Sequence, residues 1–151
     1  MKALLLSLSL GLLCLIGCGS DEDEWTAKRP KLYPAGGVVT WNGEPVEGAD
    51  VQYVSQSLDV GALGTTDAEG KYKLTTYKDN DGAAEGKHKV VVTKRIYEEK
   101  PSKYHTPEEP SMLLVPKDLL PKKYSKVTTT DIEVSVSTTG PNEETIELKG
   151  K

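Results

Sequence analysis

The chain is poor in the residues that most often mark chemistry. Of its 151 residues, two are cysteine and two are histidine. Cys14 and Cys18 lie close together near the amino terminus, and no thiol follows them. A disulfide framework is therefore excluded beyond that point, and so is a cysteine nucleophile. No Gly-x-Ser-x-Gly elbow occurs, which removes the usual sequence support for a serine hydrolase. Basic residues number 19 against 23 acidic ones with no basic stripe, which argues against nucleic acid as a partner. Long apolar runs are scarce as well. Ala3 to Ile16 is uncharged, but a membrane-spanning helix needs roughly 20 apolar residues to cross about 30 Å of hydrocarbon. Between residues 35 and 150 nothing has the three-four apolar spacing of a long amphipathic helix.

What the chain does have begins with that apolar run. Preceded by Met1 and Lys2 and ended by Leu15-Ile16-Gly17-Cys18, it suits the apolar region of a signal peptide, and its end is similar to a bacterial lipobox. That similarity implies a lipoprotein signal peptide over residues 1–17, cleavage between Gly17 and Cys18, and lipidation of Cys18. An ordinary secretory signal with an incidental cysteine is the alternative. Removing 17 of 151 residues leaves 134, enough for one domain and thin for two. It also takes away Lys2, leaving 18 basic residues against 23 acidic ones, a formal charge of −5. The expected partner at this end is a membrane, through the lipid anchor at Cys18. The expected location is extracytoplasmic, at the outer membrane or the periplasmic face of the inner membrane. Gly19 and Ser20, rather than an aspartate, follow Cys18, which favours outward transport. Residues 18–34 form an acidic tether carrying Asp21-Glu22-Asp23-Glu24, a leash that averages roughly 20 to 25 Å end to end. Its charge either holds the domain off an anionic surface or merely keeps the leash solvated.

From residue 35 to 151 the pattern is β. Gly36-Gly37-Val38-Val39-Thr40-Trp41 runs into Asn42-Gly43, a pair that readily adopts the two positive φ values of a type I′ turn. Pro45 and Gly48 mark an edge or bulge before Asp50-Val51-Gln52-Tyr53-Val54. Asp67-Ala68-Glu69-Gly70 is a second turn, followed by Lys71 to Thr76, with Tyr72 and Leu74 on one face and Lys71 and Lys73 on the other. After the turn-rich Lys78 to Gly82 comes the strand His88 to Lys94. Asp131 to Ser137 alternates with Ile132, Val134 and Val136 inward, and Thr145 to Leu148 does so with Ile146 and Leu148. Six or seven short strands of this kind predict a sandwich of two antiparallel sheets.

Residues 95–130 break the pattern and read as one long Pro-rich crossover loop within the domain, carrying Pro101, Pro107, Pro110, Pro116 and Pro121. Pro116 is placed to open a single helical turn that Pro121 ends. Met112-Leu113-Leu114-Val115 and Leu119-Leu120 either plug one end of the sandwich or belong to a partner-binding loop.

The order Gly37 to Val51, then Thr65-Thr66-Asp67-Ala68-Glu69-Gly70-Lys71-Tyr72, then Glu85-Gly86-Lys87-His88-Lys89-Val90-Val91-Val92, resembles the carboxypeptidase regulatory-like domain. The resemblance covers roughly residues 36 to 94 and departs at His88, where an aromatic is usual. It implies a seven-stranded transthyretin-like (prealbumin-like) β-sandwich of Greek-key type. With the lipobox, the chain is similar to small bacterial lipoproteins carrying that domain. The role this implies is a non-catalytic binding or structural module of the cell envelope, with no cofactor and an envelope protein or a glycan as partner.

Other chemistries find little support in the residues present. Transthyretin-related hydrolases use several histidines, an arginine and a C-terminal Tyr-Arg-Gly-Ser; here His88 and His105 are the imidazoles and the chain ends Leu148-Lys149-Gly150-Lys151. Asp79-Asn80-Asp81-Gly82 resembles the start of a calcium loop, yet the expected bidentate acid falls at Val90. Glu98, Glu99, Glu108 and Glu109 could in principle join the histidines at zinc, although no close pair has ligand spacing. Neither a metal nor a catalytic residue is expected. Trp41, Tyr53, Tyr72, Tyr77, Tyr97 and Tyr104 supply either core and cross-strand packing or an aromatic platform for a glycan-binding module.

Overall fold

Short β-branched runs cut by glycine and proline turns fold as strands in the computed structural model, which describes residues 24–103, 106 and 112–150. After a single helical turn at Glu24–Ala27 come β1 (Leu32–Tyr33), β2 (Ala35–Trp41), β3 (Glu44–Pro45), β4 (Asp50–Ser55), β5 (Gly61–Thr65) and β6 (Lys71–Lys73). They are followed by β7 (Ala83–Ala84), β8 (Gly86–Thr93), β9 (Arg95–Pro101), β10 (Met112–Asp118), a 3-10 turn at Lys122–Ser125, β11 (Glu133–Val136) and β12 (Asn142–Leu148). The signal segment, Gly17 and Cys18 lie outside the described residues. Leu32–Tyr33, which the sequence assigns to the tether, pairs with β7.

The body is all-β and sandwich-like. One sheet has the antiparallel order β11-β8-β4-β5; in the other, β12 and the two short strands β3 and β6 flank β2. Their inner faces meet in one core. Val51, Tyr53, Val90, Val92, Val134 and Val136 come from the first sheet, and Val39, Tyr72, Ile146 and Leu148 from the second, all of them buried. Ile132 lies just before β11, half-buried against that core. With no phenylalanine in the chain, Tyr53 and Leu74 are among its largest fully buried side chains.

Three differences from the sequence expectation have physical reasons. Seven strands were expected and twelve segments are found among the described residues, because two-residue pieces form at β1, β3 and β7 and the Pro-rich stretch adds β9 and β10. The second sheet is not wholly antiparallel: β12 runs parallel to β2, from Asn142 beside Ala35 to Leu148 beside Trp41. A pairing so distant in sequence leaves no local signal. Third, the Pro-rich stretch contains an antiparallel ribbon of β9 and β10, with Pro116 in mid-strand opposite Tyr97. The helical turn starts after Pro121 instead, and Leu120 beside it does plug the core, while Met112, Leu113 and Leu114 stay exposed.

The expected turns are present. Asn42 and Gly43 have φ of 51° and 90°, as a type I′ turn requires. Asp67 Oδ1 accepts from the Glu69 and Lys71 N–H groups at 3.1 and 2.7 Å, and Gly70 takes φ 74° where a Cβ would strike the Val39 carbonyl. Thr66, buried behind this turn, accepts the Ala49 N–H at 2.7 Å through its hydroxyl. The far end is latched. Tyr124 Oη accepts the Lys149 N–H at 3.0 Å and donates to the Lys149 carbonyl at 3.2 Å, and Trp41 Nε1 donates to the Gly150 carbonyl at 3.1 Å.

Candidate functional site

The edges of the two sheets meet along one side of the body. Leu63 and Thr75 exchange backbone hydrogen bonds of 2.9 and 2.8 Å, so β5 is joined to the segment leaving β6. This junction needs backbones closer than side chains allow. A Cβ on Gly64 would meet the Lys73 carbonyl, one on Gly36 the Tyr72 carbonyl, and one on Gly37 the Glu144 carbonyl. The glycines therefore leave a bare floor over β2, β6 and β5, and above it lies a groove of about 1420 Å³.

Strand alternation decides what faces the groove. Register places Val38 beside Lys71 and Gly36 beside Lys73, on the face opposite the buried Tyr72. Leu63, 57% exposed, continues that apolar floor across the junction. The rim carries Lys71 and Lys73 against Asp50, Asp67 and Glu143. Neither lysine forms an ion pair among the described residues. Two of the carboxylates are already engaged, Asp50 by the Thr65 hydroxyl at 3.2 Å and Asp67 by its own turn. The result is an apolar floor with a nearly charge-balanced, hydrogen-bonding rim. That combination suits a ligand with a C–H face and a hydroxyl edge, and it does not favour a polyanion.

The sequence-nominated residues are elsewhere. His88 is on β8 and 1% exposed, in the core and not in the groove. Its Nε2 lies 2.8 Å from the Ala84 carbonyl oxygen, which fixes the Nε2–H tautomer and leaves Nδ1 buried with no partner among the described residues. The ring packs 5.8 Å from Tyr53, whose hydroxyl shares a hydrogen bond of 2.8 Å with Tyr72. Burial pushes the Tyr53 phenol up to about 12, opposed by the bond to Tyr72 and reinforced by the Glu144 charge. Burial likewise raises Tyr72, with Tyr53 and Glu144 adding to the effect. His105 and Tyr104 lie outside the described residues, as do Glu108 and Glu109.

Asp81 serves the backbone. Its two oxygens accept the N–H groups of Thr76, Tyr77 and Lys78 at 2.6, 2.9 and 2.7 Å. Desolvation raises its pKa, but those N–H bonds outweigh it and hold the carboxyl below the usual range. Among the described residues no group of three His, Cys, Asp or Glu is placed to hold a metal. Those of the nominated aromatics that lie among the described residues do not converge on one platform. Tyr53 and Tyr72 are core, Trp41 is turned to Gly150, Tyr77 lies under the Arg29 guanidinium at 4.5 Å, and Tyr97 is on the ribbon.

The groove was not legible in the sequence, because its floor is assembled from three strands and its key residues are glycines. Its one local signal is the pair Lys71 and Lys73 alternating with Tyr72. No family model, curated protein or solved structure matches this chain.

Proposed function

We propose that the protein is a lipid-anchored module of the bacterial cell envelope that binds without catalysing, with a saccharide strand as the ligand of the groove. The observation that carries this reading is the glycine-floored groove itself, where Val38 and Leu63 lie between rims of nearly balanced charge. A sugar ring offers an apolar face to such a floor and hydroxyls to such a rim. The lipobox-like Leu15-Ile16-Gly17-Cys18 supports an anchor at Cys18, and the acidic segment behind it supports display on a leash. In this reading β2, β4, β5, β6, β8, β11 and β12 are the seven strands of a transthyretin-like Greek-key sandwich. The β1–β7 clip, the β3 stub and the β9–β10 ribbon are additions to it.

Two measurements test the proposal. Cys18→Ala is expected to release the protein from the membrane fraction, and unchanged retention would overturn the anchor. The purified full chain is expected to co-sediment with insoluble envelope saccharide sacculi, and Leu63→Asp with Lys73→Ala to weaken this by roughly tenfold or more. No co-sedimentation of the unaltered chain would overturn the groove's role.

A further inference from the structure

Among the described residues the β9–β10 ribbon has two strands, so each has one edge bonded within the ribbon and one edge free. The two free edges differ. Leu119 donates its N–H to the Lys94 carbonyl at 2.8 Å, and from there backbone direction alternates along an antiparallel pair. On β10 this turns residues 113, 115 and 117 toward β9 and residues 112, 114 and 116 outward. On β9 it turns 96, 98 and 100 toward β10 and Arg95, Tyr97 and Glu99 outward. Pro116 therefore sits on the outer edge of β10 and blunts it, because proline has no N–H to offer another strand. The outer edge of β9 keeps donors and acceptors at residues 95, 97 and 99, and its own proline, Pro101, stands at the end of the strand, whereas Pro116 lies in the middle of β10.

We propose that two copies of this chain join edge to edge through β9, antiparallel about Tyr97. Among the outward residues 95, 97 and 99, this register sets opposite charges against one another. Arg95 lies opposite Glu99 of the partner subunit, and the two-fold repeats the pair on the other side of the tyrosines. Within one protomer Arg95 already meets Asp118 at 3.0 Å, so each outer row becomes acid, base, acid across the seam. Glu99 has no ion pair among the described residues, and the second copy supplies one. Tyr97, 63% exposed, gains the matching ring of the other copy. The backbone groups of residues 95, 97 and 99 exchange hydrogen bonds with their opposites, making a four-stranded sheet from two ribbons. Lys94 and Lys100, the like-sign pair of this register, fall outside those rows, and Lys100 is 3.7 Å from Glu98 of its own strand. Such a seam is smaller than the roughly 1,200 Å² of a stable complex, so the contact is a weak one, suited to copies held on a shared surface.

The test uses the full-length protein in lipid vesicles, with self-association read by energy transfer between donor- and acceptor-labelled copies. The unaltered chain is expected to give transfer above the random level, weakened by 1 M salt. Glu99→Arg and Arg95→Glu, each alone, set like charges opposite one another twice and are expected to weaken association roughly tenfold or more. Mixed together, the two variants restore opposite charges in every outer row and are expected to pair with each other. Random-level transfer for the unaltered chain, or undiminished transfer for Glu99→Arg, would overturn the proposal. Glu99→Arg decides the matter even where Arg95→Glu loosens the ribbon beside Asp118, since the Glu99 side chain has no ion pair or hydrogen bond among the described residues. Saccharide co-sedimentation is expected to be unaffected by either change, so this proposal and the groove's role fail separately.

Discussion

The sandwich body and the β9–β10 ribbon are made of the same secondary structure and held by different forces. In the body, Val39, Leu74 and Leu148 are wholly buried, backbones approach as closely as glycine allows, and buried hydroxyls on Thr66 and Tyr72 close hydrogen bonds. In the ribbon no described residue is buried; Ile96, Tyr97, Met112, Leu113 and Leu114 are exposed. What ties the ribbon together besides its ladder is ionic, with Lys117 2.6 Å from Glu98 and Arg95 3.0 Å from Asp118. An isolated two-stranded hairpin is marginal in water, so the ribbon borrows its order from the body at Lys94 and Leu119. Packing makes one region stable, and local pairing leaves the other available.

Substitutions that strike at this contrast differ widely in expected size. Leu74→Ala, at a fully buried site, is expected to cost about 2–5 kcal/mol in urea unfolding. A cost below that range would mean the core collapses around the cavity. Thr66→Val removes the acceptor of the Ala49 N–H inside the fold and is expected to cost about 1–3 kcal/mol by the same measurement. Tyr72→Phe strands the Tyr53 hydroxyl and is expected to cost about 1 kcal/mol, while Tyr53→Phe with Tyr72→Phe recovers much of that. The same pair sets a limit at high pH. Because burial raises the Tyr53 pKa to about 12 in the folded chain, the unfolded chain ionises first as pH rises past about 10. The contribution of this pair is therefore full below pH 10 and falls toward pH 12, and the double phenylalanine variant is expected to flatten that decline. Leu114→Ala, on the ribbon, is expected to change global stability by less than about 0.5 kcal/mol.

The ribbon has its own pH dependence. The hydrogen bond from Lys117 holds Glu98 below the usual carboxylate range, against some desolvation and with the Lys117 and Lys100 charges assisting. Its contribution is present above the ordinary glutamate pKa and lost as pH falls through the lowered value. Amide shifts of residues 95–100 are expected to move toward unpaired values on acidification while those of β4 and β8 hold. Simultaneous loss in both regions would remove the distinction between them.

Local features of the fold were legible in the sequence and distant ones were not. Asn42-Gly43 and Asp67 to Gly70 are self-contained turns, and alternation at Val134, Val136, Ile146 and Leu148 reports burial directly. The ribbon was hidden by its prolines, which read as breakers because the sequence does not say which edge Pro116 occupies. On the outward edge its missing N–H interrupts nothing within the ribbon. The placement of His88 was hidden too, since a histidine in a strand looks the same whether it faces the core or water. Of the candidate site, only the wet face of Lys71 and Lys73 could be seen; the glycine floor depends on strands that meet only after folding.

The parallel pairing of β12 with β2 has a consequence for how the chain reaches its fold. Trp41 waits for Leu148, and the latch from Tyr124 to Lys149 closes only behind it. Contacts of such long sequence separation are costly to form early, so closure of the sandwich is a late and slow event in folding. Until Asn142 to Leu148 arrive, β2 keeps an open edge, and a chain cut short before residue 142 would be a template for aggregation rather than a smaller domain.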